Sequence, residues 1–184
     1  ESFRGKVVIS SRFTGREIAD HISNPILVPA PISTLNWEQR SLIDPSAKRK
    51  DILISWKDNI SGLQATEIVR ALLRVRPETT LTVWCPRPGF LAGVQDALPG
   101  IEIVEKLSER ELCDLYLNHS LLLFTSTFEG LGLPPIEGLA CGCIPILHPD
   151  VGAADMYTED GTNSIHLNGN VADTALRVAQ VLDS

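Results

Sequence analysis

The stretch that decides the fold is Ser120-Leu-Leu-Leu-Phe-Thr125, then Ser-Thr-Phe-Glu129-Gly-Leu-Gly-Leu-Pro134-Pro-Ile-Glu137-Gly-Leu-Ala-Cys141, then Ile144-Pro-Ile-Leu147. The first run is continuously apolar and strand-sized, which predicts a strand buried on both faces. Residues 134–141 predict a helix opened by proline, whose missing N–H costs nothing in the first helical turn. The third run returns to strand. A strand, loop, helix and strand of these lengths predict a crossover between parallel strands.

The same alternation extends both ways. Upstream, strands are predicted over Asp51–Trp56, Thr79–Trp84 and Ile101–Val104. Helices are predicted over Leu63–Val75, with Ile68, Val69, Leu72 and Leu73 on one face, over Gly89–Leu98 and over Ser108–Leu117. Downstream come a strand at Asn163–Leu167 and a helix at Val171–Asp183. Ser108-x-x-Glu111 and Ser61-x-x-Gln64 read as capping boxes, and Asn170 as a cap with Asp173 in the first turn. Residues 51–184 therefore predict an α/β domain with a Rossmann-like, doubly wound parallel sheet. Before it, short strands at Lys6–Ser10 and Ile26–Val28 flank a helical pattern at Thr14–Ile22. Residues 33–50 read as a polar connector.

Charge narrows the function. The chain carries 16 basic and 23 acidic residues in 184, a formal charge of −7. Residues 1–110 hold 15 of the basic and 13 of the acidic ones; residues 111–184 hold ten acidic residues and one basic residue, Arg177. This excludes a general nucleic-acid or anionic-membrane binder, which needs a basic face. An anion site in the acidic segment must use backbone N–H groups or borrow a cation from upstream. The length fits one ordinary domain plus a fragment. Hydrophobic content of 43% and charged content of 21% suit a globular core. No apolar run approaches the ~18 residues of a membrane span. Cys85, Cys113, Cys141 and Cys143 have no Cys-x-x-Cys spacing and no histidine at ligand spacing. They read as reduced, buried thiols in a cytoplasmic protein, with no metal site expected.

The chemistry concentrates in Thr125–Glu137. Gly130 and Gly132 permit positive φ and a close ligand approach. The free N–H groups of the following helix attract phosphate. Pro135 stands where a dinucleotide fingerprint requires its third glycine. Glu129 in the loop and Glu137, expected in the first helical turn, would repel phosphate. Their natural partners are paired hydroxyls, as on a sugar or ribose. Together these features suggest a nucleotide-sugar site. The plainer alternative is a helix-dipole role for Glu137 and a solvated Glu129.

Phe128 through Ile146 closely resembles the signature loop and helix of retaining glycosyltransferases of family 4, which have the GT-B fold. Glu129 and Glu137 match that family's Glu, seven residues, Glu. Asp150–Asp155 resembles its Gly-rich loop, Asp160-Gly-Thr-Asn163 the turn after it, and Ser108–Tyr116 the helix before the motif strand. The resemblance implies a donor nucleotide-sugar-binding C-terminal domain. Glu129 would hold donor-sugar hydroxyls at the catalytic centre and Glu137 the ribose. The backbone of Gly130, Leu131, Gly132 and Leu133 would meet the sugar and diphosphate. Lys57 takes the position of a family arginine on the diphosphate. Ser61 takes that of a lysine, although the serine also suits a capping role. Trp84-Cys-Pro-Arg-Pro88 replaces a small-residue turn; Arg87 or Lys106 could supply a compensating charge or be surface residues.

The resemblance further implies a nucleoside diphosphate-sugar donor, transfer with retention and no metal. Residues 1–32 would be the last unit of the N-terminal acceptor domain plus the crossover, so the fragment alone is expected to be inactive. The alternatives are a non-catalytic nucleotide-sugar-binding or protein-interaction module of the same fold, or another GT-B-like enzyme such as an epimerase or phosphorylase.

Overall fold

The computed structural model describes residues 50–184 and two short parallel strands, β1 (Val8–Ile9) and β2 (Ile26–Leu27). The helix expected over Thr14–Ile22 and the connector over 33–49 lie outside the described residues. The chain then runs β3 (Lys50–Ser55), α1 (Asn59–Val75), β4 (Leu81–Trp84), a 3-10 turn (Pro88–Phe90), α2 (Leu91–Ala97), β5 (Glu102–Val104) and α3 (Glu109–Leu117). It continues through β6 (His119–Phe124), α4 (Leu133–Ala140), β7 (Ile144–Leu147), α5 (Ala154–Tyr157), β8 (Ile165–His166) and α6 (Val171–Leu182).

Strands β3 to β8 form one parallel sheet in the order β5-β4-β3-β6-β7-β8. The α/β, Rossmann-like sheet expected from the sequence is therefore observed. From β3 the chain winds outward to β5, then returns to the other side of β3 and winds out again. The connections leave β3 and β6 in opposite directions, which opens a crevice at the carboxyl ends of those two strands.

Alternation along the strands explains why both faces are covered. Ile52, Ile54, Leu121 and Leu123 point to one face, against Ile68, Val69 and Leu72 of α1 and Ala175 and Val178 of α6. Leu53 and Leu122 point to the other, against Cys113, Tyr116, Cys141 and Cys143. Each fully buried leucine or isoleucine stabilises the fold by about 1.5–3 kcal/mol relative to exposure. The four cysteines are buried and reduced, as the sequence suggested.

Helix starts follow the caps, with one correction. Ser108 and Glu111 form the expected box, with Ser108 N donating to Glu111 Oε2 at 2.8 Å. Asn170 accepts from Asp173 N at 3.1 Å. In α1, however, the cap is Asp58 rather than Ser61. Ser61 is the third helical residue; its N–H donates to Asp58 Oδ1 at 2.8 Å and its hydroxyl accepts from Asp58 N at 3.3 Å. Burial opposes ionisation of Asp58, but the Ser61 bonds outweigh it and hold the carboxyl below its usual pKa. Two causes favour the earlier start. Asp58 adds a carboxylate at the positive end of the dipole, and Gly62 comes to lie against the indole of Trp56. Gln64, the expected box partner, instead meets His148 Nε2 at 2.9 Å.

Helix α4 begins at Leu133, one residue before the expected start. Gly132 is its N-cap, in the left-handed region at φ 77°. Pro134 and Pro135 are thus its second and third residues, and Glu137 is in the second turn, not the first. Among the described residues no helix is long and apolar enough to cross a membrane.

Candidate functional site

A pocket of about 310 Å³ opens at the carboxyl ends of the central strands. The end of β3 supplies Ser55 and Lys57, β4 and its turn supply Trp84 and Pro86, and β6 supplies Phe124. The loop into α4 supplies Glu129 and Leu131 to Pro134.

Lys57 and Glu129, far apart in sequence, meet at 2.6 Å from Nζ to Oε1. The ammonium also donates to the carbonyl of Phe128 at 2.9 Å and to Ser126 Oγ at 3.4 Å. An ammonium has three donors, so these partners use all of them. In sequence the two residues suggest separate roles; the fold makes them one ion pair on the pocket wall. A carboxylate offers about four acceptor positions, so Glu129 keeps capacity for hydroxyls while bonded to Lys57.

The helix start is poorer in donors than an ordinary one. The four N–H groups without helical acceptors belong to the N-cap and the first three residues. Here the last two of those are Pro134 and Pro135, which carry none. The donors left are Gly132 and Leu133, both lining the pocket. Among the described residues neither N–H has a hydrogen-bond partner. Of the two glycines expected to take positive φ, Gly132 does so and Gly130 does not. Gly130 is exposed and outside the pocket lining.

Glu137 also lies outside that lining, but it is joined to it. Tyr116 donates its hydroxyl to Glu137 Oε2 at 3.2 Å. The Tyr116 ring meets Trp84 edge-on, with centroids 6.3 Å apart, and Trp84 lines the pocket. Burial raises the pKa of Glu137, and the Tyr116 bond only partly offsets this. Burial, then the neighbouring carboxylate, pushes the Tyr116 phenol well above its usual value, so it stays a donor.

A stability prediction follows. A carboxyl whose pKa is raised on folding penalises the native state at pH values above that raised pKa. The penalty vanishes below the unfolded pKa. Glu137→Gln keeps an acceptor for Tyr116 and removes the charge. It is expected to raise the melting temperature at about pH 7 and to leave it unchanged well below the ordinary glutamate range of about 4.3. Thermal melts at both pH values measure this; an equal shift at both would refute the burial argument.

Ser61 is 4% exposed and does not line the pocket. Its hydroxyl is held by Asp58, and its carbonyl accepts from Thr125 Oγ1 at 2.5 Å, which ties the start of α1 to the end of β6. Arg87 and Lys106 are exposed, and neither lines the pocket. One element went unread in the sequence. Helix α5 and the turn before it lie against the glutamate loop, with Ala153 N donating to the carbonyl of Leu131 at 2.8 Å. Tyr157 donates to the carbonyl of Gly132 at 3.4 Å. The resemblance of Asp150–Asp155 to a family loop was the available signal; nothing pointed to Tyr157.

This architecture matches solved structures over nearly its whole length. A glycosyltransferase from Rickettsia africae superposes with a TM-score of 0.78 at 16% identity, covering 97% of this chain and 53% of that one. Anabaena HepE in complex with UDP and glucose gives 0.77 at 14% identity, covering 99% and 55%. The UDP-forming trehalose-phosphate synthase of Burkholderia xenovorans gives 0.67 at 14%, covering 95% and 52%. The fold is that of the carboxyl-terminal domain of GT-B glycosyltransferases. Residues 96–184 of this GT-B-type domain match the family model of glycosyl transferases group 1. The matched segment holds Glu129, the helix start and Glu137; Lys57 and the start of α1 precede it. No curated protein sequence matches the chain. The chain spans about half the length of these three solved structures.

Proposed function

We propose that this chain is the donor-binding domain of a retaining glycosyltransferase of family 4, taking a sugar from a nucleoside diphosphate. One observation carries the reading. A single pocket combines a cation, a carboxylate and two amide donors, and the last two lie in the segment matching glycosyl transferases group 1. A nucleotide-sugar needs this mixture: donors for its diphosphate and an acceptor for its hydroxyls. HepE, of the same fold, holds UDP and glucose.

In this reading the N–H groups of Gly132 and Leu133 meet the diphosphate. Lys57 exchanges one of its present acceptors for a phosphate oxygen. Glu129 accepts from the sugar, and Glu137 from the ribose in place of Tyr116. Amides and ammonium then stabilise the charge that develops on the leaving diphosphate, without a resident metal. Residues 1–32 are taken as an acceptor-domain remnant with its crossover and residues 33–49 as a connector, Lys50 opening β3, so turnover requires the acceptor domain. Detectable transfer by residues 1–184 alone would overturn that account. The buried, reduced cysteines support a cytoplasmic setting.

Calorimetry of the chain with UDP, GDP and ADP tests the donor site; no binding by any of them at millimolar concentration would sink it. With binding established, Glu137→Ala is expected to weaken it by about 1–3 kcal/mol, and unchanged affinity would refute the ribose role. A specific observation supports a second reading, a non-catalytic nucleotide-sugar-binding module. Ser61 offers no charge, and Lys57 is bonded to Glu129. A measurable rate of transfer from the chain joined to its acceptor domain would exclude that reading.

A further inference from the structure

The two amides of the pocket have their directions set from behind. A trans peptide unit is planar, and its carbonyl and N–H point in opposite directions. The carbonyl of Leu131 shares a peptide unit with the N–H of Gly132, and the carbonyl of Gly132 shares one with the N–H of Leu133. Both carbonyls are held on the same side. Ala153 N donates to Leu131 O at 2.8 Å, and the Tyr157 hydroxyl donates to Gly132 O at 3.4 Å. Both N–H groups must therefore face away from the 151–157 segment, and Leu131, Gly132 and Leu133 all line the pocket.

The anchor is close-packed. A Cβ built on Gly152 would lie 2.4 Å from the carbonyl oxygen of Leu131 and 2.6 Å from its carbon. Gly152 also sits at φ 58°, a conformation strained for any other residue. Burial keeps the Tyr157 phenol protonated far above neutral pH, reinforced by Asp155 and Glu129. The tyrosine is thus a constant donor.

We propose that Tyr157 and the Gly152–Ala153 backbone are positioning groups. They lock the Leu131–Gly132 and Gly132–Leu133 peptide units so that both N–H groups form a two-amide clamp for one phosphate. The proposal rests on the nucleotide-sugar reading of the pocket. The amides stand three and four residues from Glu129, so the phosphate they face is the one nearest the sugar; what the proposal adds is the anchor behind them, Tyr157 and Gly152–Ala153. With Pro134 and Pro135 next in the helix, no further amide at this start can substitute if the clamp turns.

The test uses the whole chain, with UDP and UMP as probes, since UMP lacks the second phosphate. Tyr157→Phe is expected to keep the fold and the UMP affinity while weakening UDP about fivefold. Gly152→Ala should weaken UDP further in the same selective way. Equal losses for UDP and UMP in Tyr157→Phe, or no loss for UDP, would overturn the clamp. A readout without ligand separates this from the earlier reading. The amide nitrogen of Leu133 shares peptide resonance with the Gly132 carbonyl, so its 15N resonance should shift in Tyr157→Phe. A shift in a chain whose wild type binds no nucleotide places the failure in the nucleotide-sugar reading. No shift would overturn the anchor itself.

Discussion

Gly62→Ala is expected to destabilise the domain by about 3 kcal/mol, the upper end of ordinary overpacking. The added Cβ would stand 2.2 Å from Cζ2 and 2.3 Å from Cε2 of Trp56. A flexible side-chain tip could move aside, but this is a rigid ring, 2% exposed, within the largest core cluster. Either the indole leaves its place in that cluster, or the start of α1 lifts from the end of β3. The second response also moves Lys57. Urea denaturation measures the cost, and a midpoint equal to wild type would refute the packing argument. Trp56→Phe offers a check by double-mutant cycle. Its smaller ring should recover part of the loss, with a coupling of at least about 0.5 kcal/mol. The indole Nε1 is buried with no partner among the described residues, so its removal adds no broken bond.

Glu129→Ala is expected to change what the pocket prefers more than how tightly it binds. Wild-type Glu129 serves Lys57 and, in the proposed function, the donor sugar. Without it, Lys57 retains the Phe128 carbonyl and Ser126, two neutral partners, and meets phosphate without a competing carboxylate. UDP should therefore bind as tightly or more tightly. The sugar loses a charged acceptor, and each hydrogen bond to a charged group contributes about 1.5–3 kcal/mol. The advantage of UDP-glucose over UDP should fall by about tenfold or more. Calorimetry with the two ligands reads that ratio, and an unchanged ratio would remove Glu129 from the sugar site.

Much of this was legible in the sequence because it depends on local pattern. The six strands of the main sheet were visible as apolar runs, and the caps at Ser108 and Asn170 depend on residues three apart. The start of α1 was misread for a physical reason. Asp58 and Ser61 are both good caps, and Trp56 and Gly62 chose between them through packing that no propensity encodes. Helix α5 is four residues long, too short to carry a period. The Lys57–Glu129 pair joins the ends of two different strands; each residue could be named in advance, but only the neighbouring placement of β3 and β6 brings them together. Tyr157 acts through one hydroxyl on a distant carbonyl, so no spacing rule could find it. From local sequence the prolines after Leu133 suggest only a helix opening. Their effect on the count of available donors emerged only once the helix start was fixed.

The closed contact between Lys57 and Glu129 has a consequence for which ligands the pocket selects. Where small free anions are abundant, a bare ammonium in a recess would be occupied by them. Here the positive charge is already matched at 2.6 Å. A simple anion that approaches gains Lys57 only by facing Glu129, and the repulsion cancels much of the attraction. A visitor that brings an acceptor and hydroxyl donors together satisfies both partners at once. The pair thus works as a two-condition filter, rejecting on charge alone what it would admit on charge and shape combined.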